Sequence, residues 1–300
     1  MPPLLICGSN GRLGRALSSV VEEEHAETFP DAVFATRDEL DISDYWRLRS
    51  ELERIEPAVV VNCAAYAHVD GCETDRDRAE RVNTAGAGNL ARAAAAIGAR
   101  IVHISTDLVF DGAAGRPYRE EDAPHPLSHY AATKLEGELA VADANEDHAI
   151  LRSSWFFGPY PRDRYPELFL TGLIEGASYR MVSDRIGSPT FLHDLARAIV
   201  RLVATPYKGI LHFSNAGEPT SRYHFLLELA GRLGIPTRGL TPVSDSDWNE
   251  DAAVRPIYSA LDWRRFAQVT GLTPRTWQES FAEYIAIRQD EPMEQDRAGA

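Results

Sequence analysis

Short apolar segments alternate with amphipathic segments over the first half of the 300-residue chain. The apolar segments are rich in Val, Ile, Leu and Ala without polar alternation, which is typical of parallel strands covered on both faces. They predict strands at residues 4–7, 32–35, 58–62, 100–105 and 149–152, and the segments between them predict helices at 13–23, 43–55, 84–97 and 129–144. We expect Ser43 and Thr84 to cap their helices. This order of elements predicts a doubly wound α/β domain with a parallel sheet.

The pattern changes after Trp155, where elements become shorter and loops longer. Helices are predicted at 168–175, 191–205, 223–233, 263–270 and 276–287, with one further strand at 209–213. We expect residues 1–157 and 191–216 to form the doubly wound domain and residues 158–190 and 217–287 to form a smaller, discontinuous C-terminal substrate lobe. Residues 288–300 are polar without periodicity, so they are predicted to be disordered.

Composition narrows the function classes. A formal net charge of −14 argues against a nucleic-acid partner, because such a surface repels phosphate backbones. No apolar run reaches the roughly 20 residues that span a bilayer, and the start of the chain indicates a first strand and not a signal peptide, so a cytoplasmic location is expected. The three cysteines, Cys7, Cys63 and Cys72, lack the spacing of a disulfide framework or a zinc site, and no metal site is predicted.

A glycine-rich turn follows the first predicted strand. Gly8, Gly11 and Gly14 form a G-x-x-G-x-x-G pattern that leads into the first helix. Glycines at these places allow a tight turn and bring backbone N–H groups close to a pyrophosphate at the helix N-terminus. The turn predicts a dinucleotide site that includes Gly8, Asn10, Gly11, Arg12 and Leu13.

The end of the second strand indicates which dinucleotide binds. Enzymes that use NAD usually carry an acidic residue there, which binds the ribose 2′-hydroxyl. This chain has Ala35, Thr36 and Arg37 instead, and a guanidinium suits a 2′-phosphate. We therefore expect NADPH, with Arg12 as a second cation, and NADH stays the alternative.

Tyr130 and Lys134 form a Y-x-x-x-K motif within a predicted helix, which places both side chains on one face. An ammonium beside a phenol stabilises the phenolate and makes the phenol a usable proton donor. The chain has only two lysines, Lys134 and Lys208, although it has many arginines. A lysine kept in this setting indicates a role for a compact ammonium.

A hydroxyl at the end of the fourth strand completes the predicted site. Ligands bind outside the carboxyl ends of parallel strands, so a hydroxyl there can donate to a substrate carbonyl that Tyr130 protonates. Thr106 is the preferred candidate and Ser105 the second. The three residues Thr106, Tyr130 and Lys134 then predict a hydride-transfer site.

These motifs carry a family resemblance. The chain resembles the extended short-chain dehydrogenases, and among them it is similar to the dTDP-4-dehydrorhamnose reductase family. The resemblance extends from about residue 4 to 285 and includes the stretches 8–14, 40–44, 61–66, 69–70, 73, 82–83, 105–107, 109–110, 118, 120–121, 130–134, 152–155, 187–190 and 255–256. It implies a Rossmann-like domain, a sugar-nucleotide lobe and reduction of the 4-keto group of a dTDP-activated 6-deoxy sugar.

The resemblance also implies roles for single residues. Asp41 and Ile42 flank the adenine end of the cofactor. Contacts with the rest of the cofactor are expected for Ala64, Ala65, Tyr66, Ser105, Tyr130 and Lys134, and Lys134 is expected to hold the nicotinamide ribose. Contacts with the sugar nucleotide are implied for Val69, Thr106, Asp107, Trp155 and Arg255, of which Arg255 faces the diphosphate. A homodimer is a further possibility.

The chain differs from the family pattern at two positions, and two alternative functions are compatible with the sequence. Leu108 stands where the family often has an aromatic residue, and Val254 stands where it often has a small hydroxyl residue. Both changes are expected to alter the sugar pocket and with it the deoxysugar that binds. The rival functions are another sugar-nucleotide ketoreductase or epimerase, and a non-catalytic subunit resembling the regulatory chain of methionine adenosyltransferase.

Overall fold

The computed structural model describes residues 3–159 and 164–290. Its strands are β1 Leu4–Cys7, β2 Val33–Ala35, β3 Val59–Asn62, β4 Arg100–Thr106, β5 His148–Ser153, β6 Phe156–Phe157, β7 Tyr179–Val182, β8 Thr190–Phe191, β9 Gly209–Phe213 and β10 Leu240–Val243. Its α-helices are α1 Arg12–Glu24, α2 Tyr45–Ile55, α3 Gly71–Thr74, α4 Arg76–Ala79, α5 Ala87–Ala95, α6 His129–Ala144, α7 Glu167–Ile174, α8 Leu192–Val203, α9 Arg222–Arg232, α10 Arg264–Thr270 and α11 Phe281–Asp290. A π-helical segment, Glu80–Gly86, joins α4 to α5.

Six parallel strands form the central sheet, in the order β2-β1-β3-β4-β5-β9. The strand order reverses between β1 and β3, and the crevice at such a reversal is where ligands of open α/β sheets bind. The fold thus places the glycine turn after β1 beside the carboxyl ends of β3 and β4.

Helices cover both faces of the sheet. One hydrophobic cluster joins β1, β3, β4, β5 and β9 to α1 and α8, and a second joins the opposite face to α2, α5 and the end of α6. Because both faces are covered, β1 and β2 consist of unbroken apolar residues, and β3 is apolar up to Asn62 at its carboxyl end. The predicted doubly wound class is confirmed.

A separate aromatic core lies in the second half of the chain. It is formed by Phe157, Phe191, Phe225, Trp277, Phe281 and Tyr284 with aliphatic residues of α7, α9 and β10. Two small sheets, β7 with β10 and β6 with β8, accompany this core. The sequence did not predict these four strands because each is short and its partner is distant in the chain or only two residues long.

Several predicted boundaries were wrong. Asp44, and not Ser43, caps α2, because the Asp44 carboxylate accepts a hydrogen bond from the Arg47 N–H. Thr84 caps no helix, since it lies inside the π-helical segment. The last helix begins at Phe281 and not at residue 276. That helix continues to Asp290, so disorder does not begin at residue 288; residues 291–300 of the predicted tail and 160–163 of the predicted lobe lie outside the described residues.

Within residues 3–159 and 164–290, no helix has both the length and the apolar character that crossing a membrane requires.

Candidate active site

The backbone of the glycine turn packs closely against the segment after β3 and against the start of α1. Gly8 has a φ of +78°, which favours glycine, and its N–H donates to the Ala35 carbonyl. A Cβ on Gly8 would lie 2.7 Å from the Ala64 nitrogen, and a Cβ on Gly14 would lie 2.2 Å from the Gly8 oxygen. No side chain caps α1, and its first turn holds no acidic residue. The helix N-terminus therefore offers its N–H groups to an anion, as a pyrophosphate requires.

The other predicted residues of this turn differ in what they can offer. Asn10 is exposed, whereas the Leu13 side chain is buried in the core, so only the Leu13 backbone faces the turn. The Arg12 guanidinium donates to the carbonyl oxygens of Phe156 and Tyr165, at 3.1 Å each. Arg12 thus ties the turn to the segment around Tyr165, and these two bonds direct part of its guanidinium away from a 2′-phosphate.

The loop after β2 contains the predicted adenosine end of the site. The Arg37 side chain is 57% exposed, and its Nε lies 3.6 Å from the nearer carboxylate oxygen of Asp41. Glu39 accepts hydrogen bonds from the N–H and the hydroxyl of Thr36. Because that carboxylate binds its own loop, it is not free for a ribose hydroxyl, and Arg37 remains the exposed charge at this end.

Asp41 and Ile42 close the floor of this loop. Burial raises the pKa of Asp41, but hydrogen bonds from the Ser43 N–H and hydroxyl, together with Arg37, lower it overall. Ile42 is buried against Gly86 of the π-helical segment, where a Cβ would lie 2.9 Å from the Ile42 side chain. Asp41 is therefore ionised, and Ile42 offers an apolar wall.

The segment after β3 is held by two asparagines. Asn62 accepts a hydrogen bond from the Ala64 N–H at 3.1 Å. Asn83, in the π-helical segment, accepts from the Tyr66 N–H at 2.8 Å and donates to the Tyr66 carbonyl at 3.1 Å. Ala65 is exposed at the carboxyl edge of the sheet. The three predicted residues Ala64, Ala65 and Tyr66 thus line the crevice on a fixed backbone.

The helix α6 carries both residues of the Y-x-x-x-K motif. Ser128 caps it by accepting from the Ala131 N–H, and Glu73 accepts from the His129 N–H at 2.7 Å. Tyr130 and Lys134 are both buried, with exposed fractions of 9% and 2%. Two caps at its start fix the first turn of α6, and with it the direction of the Tyr130 side chain.

Lys134 points at the fourth strand. Its Nζ donates to the Ile104 carbonyl oxygen at 2.7 Å and lies 3.3 Å from Nε2 of His103. Burial lowers the pKa of Lys134 to about 8, although the Glu138 carboxylate acts in the opposite direction. A lysine with this pKa changes charge close to physiological pH.

Thr106 and Asp107 stand at the carboxyl end of β4. The Thr106 hydroxyl donates to Asp107 at 3.2 Å and accepts from the Leu108 N–H at 3.2 Å. Burial raises the pKa of Asp107 to about 6, while Ser259, Thr106 and Arg222 lower it in part. Ser105 is buried beside Thr106, and its hydroxyl has no hydrogen-bond partner among the described residues.

Tyr130 packs in a small cluster with Cys72 and Ala79, edged by Tyr66, Val69 and Leu108. Burial raises its pKa well above the usual value of 10, as do the charges of Asp107 and Cys72, while Thr106 acts in the opposite direction. The phenol is therefore fully protonated at neutral pH. The cluster also places Val69, a predicted substrate residue, next to Tyr130.

Trp155 stands at a bend after β5, with a φ of +44° that strains a non-glycine residue. Its ring packs against Tyr165 and Phe225, at centroid distances of 6.0 and 5.6 Å. The Arg222 guanidinium lies over Trp155 at 5.8 Å and over Tyr165 at 5.3 Å. The Trp155 indole N–H is buried and has no acceptor among the described residues.

Arg255 forms a two-pronged ion pair with Asp70, at 3.1 and 2.6 Å, and a further contact with Asp251 at 3.1 Å. Asp70 also accepts from the N–H groups of Ala252 and Ala253. These bonds join the loop after β3 to the loop at 251–255. They also neutralise Arg255, which lessens the attraction it would exert on a diphosphate.

Four residues of this region were missed by sequence reasoning. Arg222 and Ser259 influence Asp107, and Asn62 and His103 hydrogen-bond to each other behind Lys134. Arg222 and Ser259 belong to no local motif, and Asn62 lies in the matched stretch 61–66 without an assigned role. His103 gave a signal, as a polar residue between the apolar residues Val102 and Ile104. In the ranges 3–159 and 164–290, no group of three or more His, Cys, Asp or Glu residues is arranged to hold a metal ion.

Known proteins are similar to this chain over nearly its whole length. The chain matches the family described as the RmlD substrate binding domain over residues 2–289. It is 36% identical over 288 residues to a dTDP-4-dehydrorhamnose reductase of Mycolicibacterium smegmatis, covering 94% of this chain and 85% of that protein. It is 35% identical over 288 residues to the spore coat polysaccharide biosynthesis protein SpsK of Bacillus subtilis, covering 96% and 98%.

A solved structure agrees over nearly the whole length. The dTDP-4-dehydrorhamnose reductase of Bacillus anthracis, determined in complex with NADP, superposes with a TM-score of 0.89 at 32% identity and covers 95% of this chain and 99% of its own. The family match and these relatives extend over both the sheet and the aromatic core. The chain therefore belongs to the RmlD substrate binding domain family.

Proposed function

We propose that this protein uses NADPH to reduce the 4-keto group of a nucleotide-activated 6-deoxy sugar, with dTDP-4-dehydrorhamnose as the expected substrate and dTDP-rhamnose as the product. One observation carries the proposal: Thr106 and Tyr130 lie buried at the carboxyl edge of β4, with Lys134 fixed behind them. Relatives that match more than nine-tenths of this chain bear the name of this reductase, and one was solved with NADP.

The chain's own residues supply the proton donor and the groups that stabilise and orient the reactants. Bound NADPH supplies a hydride to the carbonyl carbon of the sugar. Tyr130 donates its phenolic proton to the oxygen that develops negative charge. Lys134, as the ammonium, stabilises the tyrosinate that is left. The Thr106 hydroxyl orients the carbonyl oxygen toward Tyr130.

The substrate side of the proposal rests on Val69, which packs beside Tyr130, and on Asp107, which bonds to Thr106. Trp155 joins them through Arg222, which lies over its ring and lowers the pKa of Asp107 in part. Arg222 adds a positive charge between Trp155 and Tyr165 and offers a partner for the diphosphate. Arg255 holds the loop at 251–255 against the loop after β3, because its guanidinium already binds Asp70 and Asp251.

On the cofactor side, the glycine turn suits the pyrophosphate, and the exposed Arg37 suits a 2′-phosphate. Ala64, Ala65 and Tyr66, which follow β3, and Ser105 of β4 lie on the other side of the glycine turn from Arg37, toward Tyr130, and suit the remainder of the cofactor. The two-lobe division of the chain, a homodimer and a cytoplasmic location stay predictions.

The test is a spectrophotometric assay of NADPH consumption with dTDP-4-keto-6-deoxy sugars. We expect consumption that requires the sugar nucleotide and that is faster with NADPH than with NADH. An epimerase would convert the sugar without net consumption of NADPH. Tight NADPH binding without turnover of any keto-sugar would favour a non-catalytic subunit and overturn the proposal.

A further inference from the structure

Behind the proposed proton donor, three buried side chains form a hydrogen-bonded chain that reaches across β3, β4 and α6. Asn62 Nδ2 lies 3.0 Å from Nδ1 of His103, and His103 Nε2 lies 3.3 Å from Nζ of Lys134. Asn62 and His103 are paired across the sheet, and their exposed fractions are 1% and 0%. No part of the catalytic scheme above uses Asn62 or His103.

The direction of each hydrogen bond follows from one backbone group. The Ala64 N–H donates to Oδ1 of Asn62, so the amide group of Asn62 must face His103 with its Nδ2. Nδ2 is a donor, and Nδ1 of His103 must then be the acceptor. A neutral imidazole with a bare Nδ1 carries its proton on Nε2, which is the atom that faces Lys134.

This creates an unfavourable contact in the ammonium form of Lys134, which the amine form relieves. An ammonium has three donors and no acceptor, so a Lys134 ammonium would meet the His103 Nε2–H donor to donor. A neutral amine accepts from that N–H through its lone pair and still donates to the Ile104 carbonyl. The reverse arrangement requires the Asn62 amide to turn, which would leave the Ala64 N–H facing a second donor.

We propose that Asn62 and His103 are positioning residues for Lys134, which favour its amine over its ammonium form and thereby set the pH range in which the lysine changes charge. The catalytic role of Lys134 rests on the proposed function. The effect of His103 on the charge of Lys134 does not. Burial and the charge of Lys134 lower the pKa of His103 well below its usual value, which keeps the imidazole neutral.

The other titratable groups around Lys134 do not favour its amine form. Glu138, on its own helix, favours the ammonium but is bound by Arg152 of β5 at 2.6 and 2.9 Å. Cys63, after β3, is a neutral thiol, because burial raises its pKa to about 12. Tyr130, one turn earlier on α6, is protonated. His103 is the group that makes a directional contact with Nζ.

The charge of Lys134 can be measured by NMR without overlap from many other lysines, because Lys134 and Lys208 are the only two lysines of the chain. Protein labelled with ¹³C at the lysine ε-carbon therefore gives two signals, and their chemical shifts follow the charge of each amine with pH. We expect the Lys134 signal of the cofactor-free protein to titrate with a midpoint of about 8. Replacing His103 with Phe removes the N–H that faces Nζ and should move this midpoint up by about one pH unit.

His212→Phe is the matched control. His212 is another buried imidazole of the same sheet, on β9, and it contacts the Tyr118 carbonyl and not Lys134. The Lys134 midpoint should be the same in this variant as in the wild type. The Lys208 signal must titrate identically in all three proteins, which checks that the fold and the pH scale are unchanged.

A fall of the Lys134 midpoint in His103→Phe would mean that His103 accepts from the ammonium, and an unchanged midpoint would mean no coupling; either result overturns the proposal. If the variant does not fold, the imidazole ¹⁵N shifts of wild-type His103, assigned through its contact with the Lys134 side chain, decide between the two tautomers. A proton on Nε2 supports the proposal, and a proton on Nδ1 overturns it. Since no substrate is used, these outcomes are independent of whether the protein is a reductase.

Discussion

The two ends of the crevice are built in opposite ways. At one end, Lys134 is 2% exposed and bound to two atoms of β4, and Tyr130 is 9% exposed in an apolar cluster. At the other end, the Arg37 side chain is 57% exposed and has one long contact with Asp41. Buried, fixed groups shift the pKa and set the chemistry, whereas an exposed, screened charge selects between ligands with little effect on the fold.

The largest effect is expected from Tyr130→Phe. Removing the phenolic proton donor should lower kcat by about 10²-fold or more, because a positioned general acid contributes that much. The measurement is NADPH consumption at saturating keto-sugar, and cofactor affinity should change little. Tyr118→Phe removes a hydroxyl that donates to Asp111 away from the crevice and serves as the control. Turnover near the wild-type rate in Tyr130→Phe would remove Tyr130 from the role of acid.

Asp107→Asn should separate stability from function at the buried end. Burial raises the pKa of Asp107 from 3.8 to about 6, so the folded state favours the protonated carboxyl. Its stabilising effect is present below the unfolded value and is lost as the pH rises through about 6. At neutral pH the asparagine variant should therefore be more stable by about 2 kcal/mol, yet less active.

Urea unfolding of both proteins at about pH 4.5 and about pH 7.5 measures this difference. The advantage of Asp107→Asn should be larger at the higher pH, because the aspartate titrates in this window and the asparagine that replaces it does not. If the stability difference is the same at both pH values, Asp107 does not carry its charge in a buried setting.

The smallest effect is expected at the exposed end. Arg37→Ala should raise the KM for NADPH about tenfold, the equivalent of about 1.4 kcal/mol, and leave the KM for NADH unchanged. Higher salt should shrink the difference, because the charge is screened. Arg54→Ala, an exposed arginine on α2 that pairs with Glu51, controls for loss of net charge. Equal changes for NADPH and NADH would show that Arg37 does not recognise the 2′-phosphate.

The sequence predicted those parts of the site whose residues lie close together along the chain. The glycine turn, the spacing of Tyr130 and Lys134, and the end of β4 at Thr106 are each contained within one or two elements. The six-stranded sheet followed from apolar runs, and it is confirmed. The resemblance added Trp155 and Arg255, which lie far from the other motifs in sequence.

The remainder of the site depends on contacts between distant residues. Arg255 was predicted to face a diphosphate, but its pairing with Asp70 joins residues 185 positions apart. Arg222 lies near Trp155 only because α9 packs on the aromatic core. The π-helical segment arises where Gly137 lets Asn83 approach α6, since a Cβ on Gly137 would lie 2.2 Å from the Asn83 oxygen. No spacing rule in the sequence encodes these contacts.

The central claim is hydride transfer to a sugar carbonyl, and the most direct measurement is a single turnover with NADPH that carries deuterium at C4 of the nicotinamide. Enzyme in excess over dTDP-4-dehydrorhamnose is quenched, and the sugar is analysed by mass spectrometry and NMR. The account predicts one deuterium per molecule, located at C4 of the sugar, when the label is on the transferred face. A sugar that is converted without deuterium, or that stays unreduced while NADPH is bound, would contradict it.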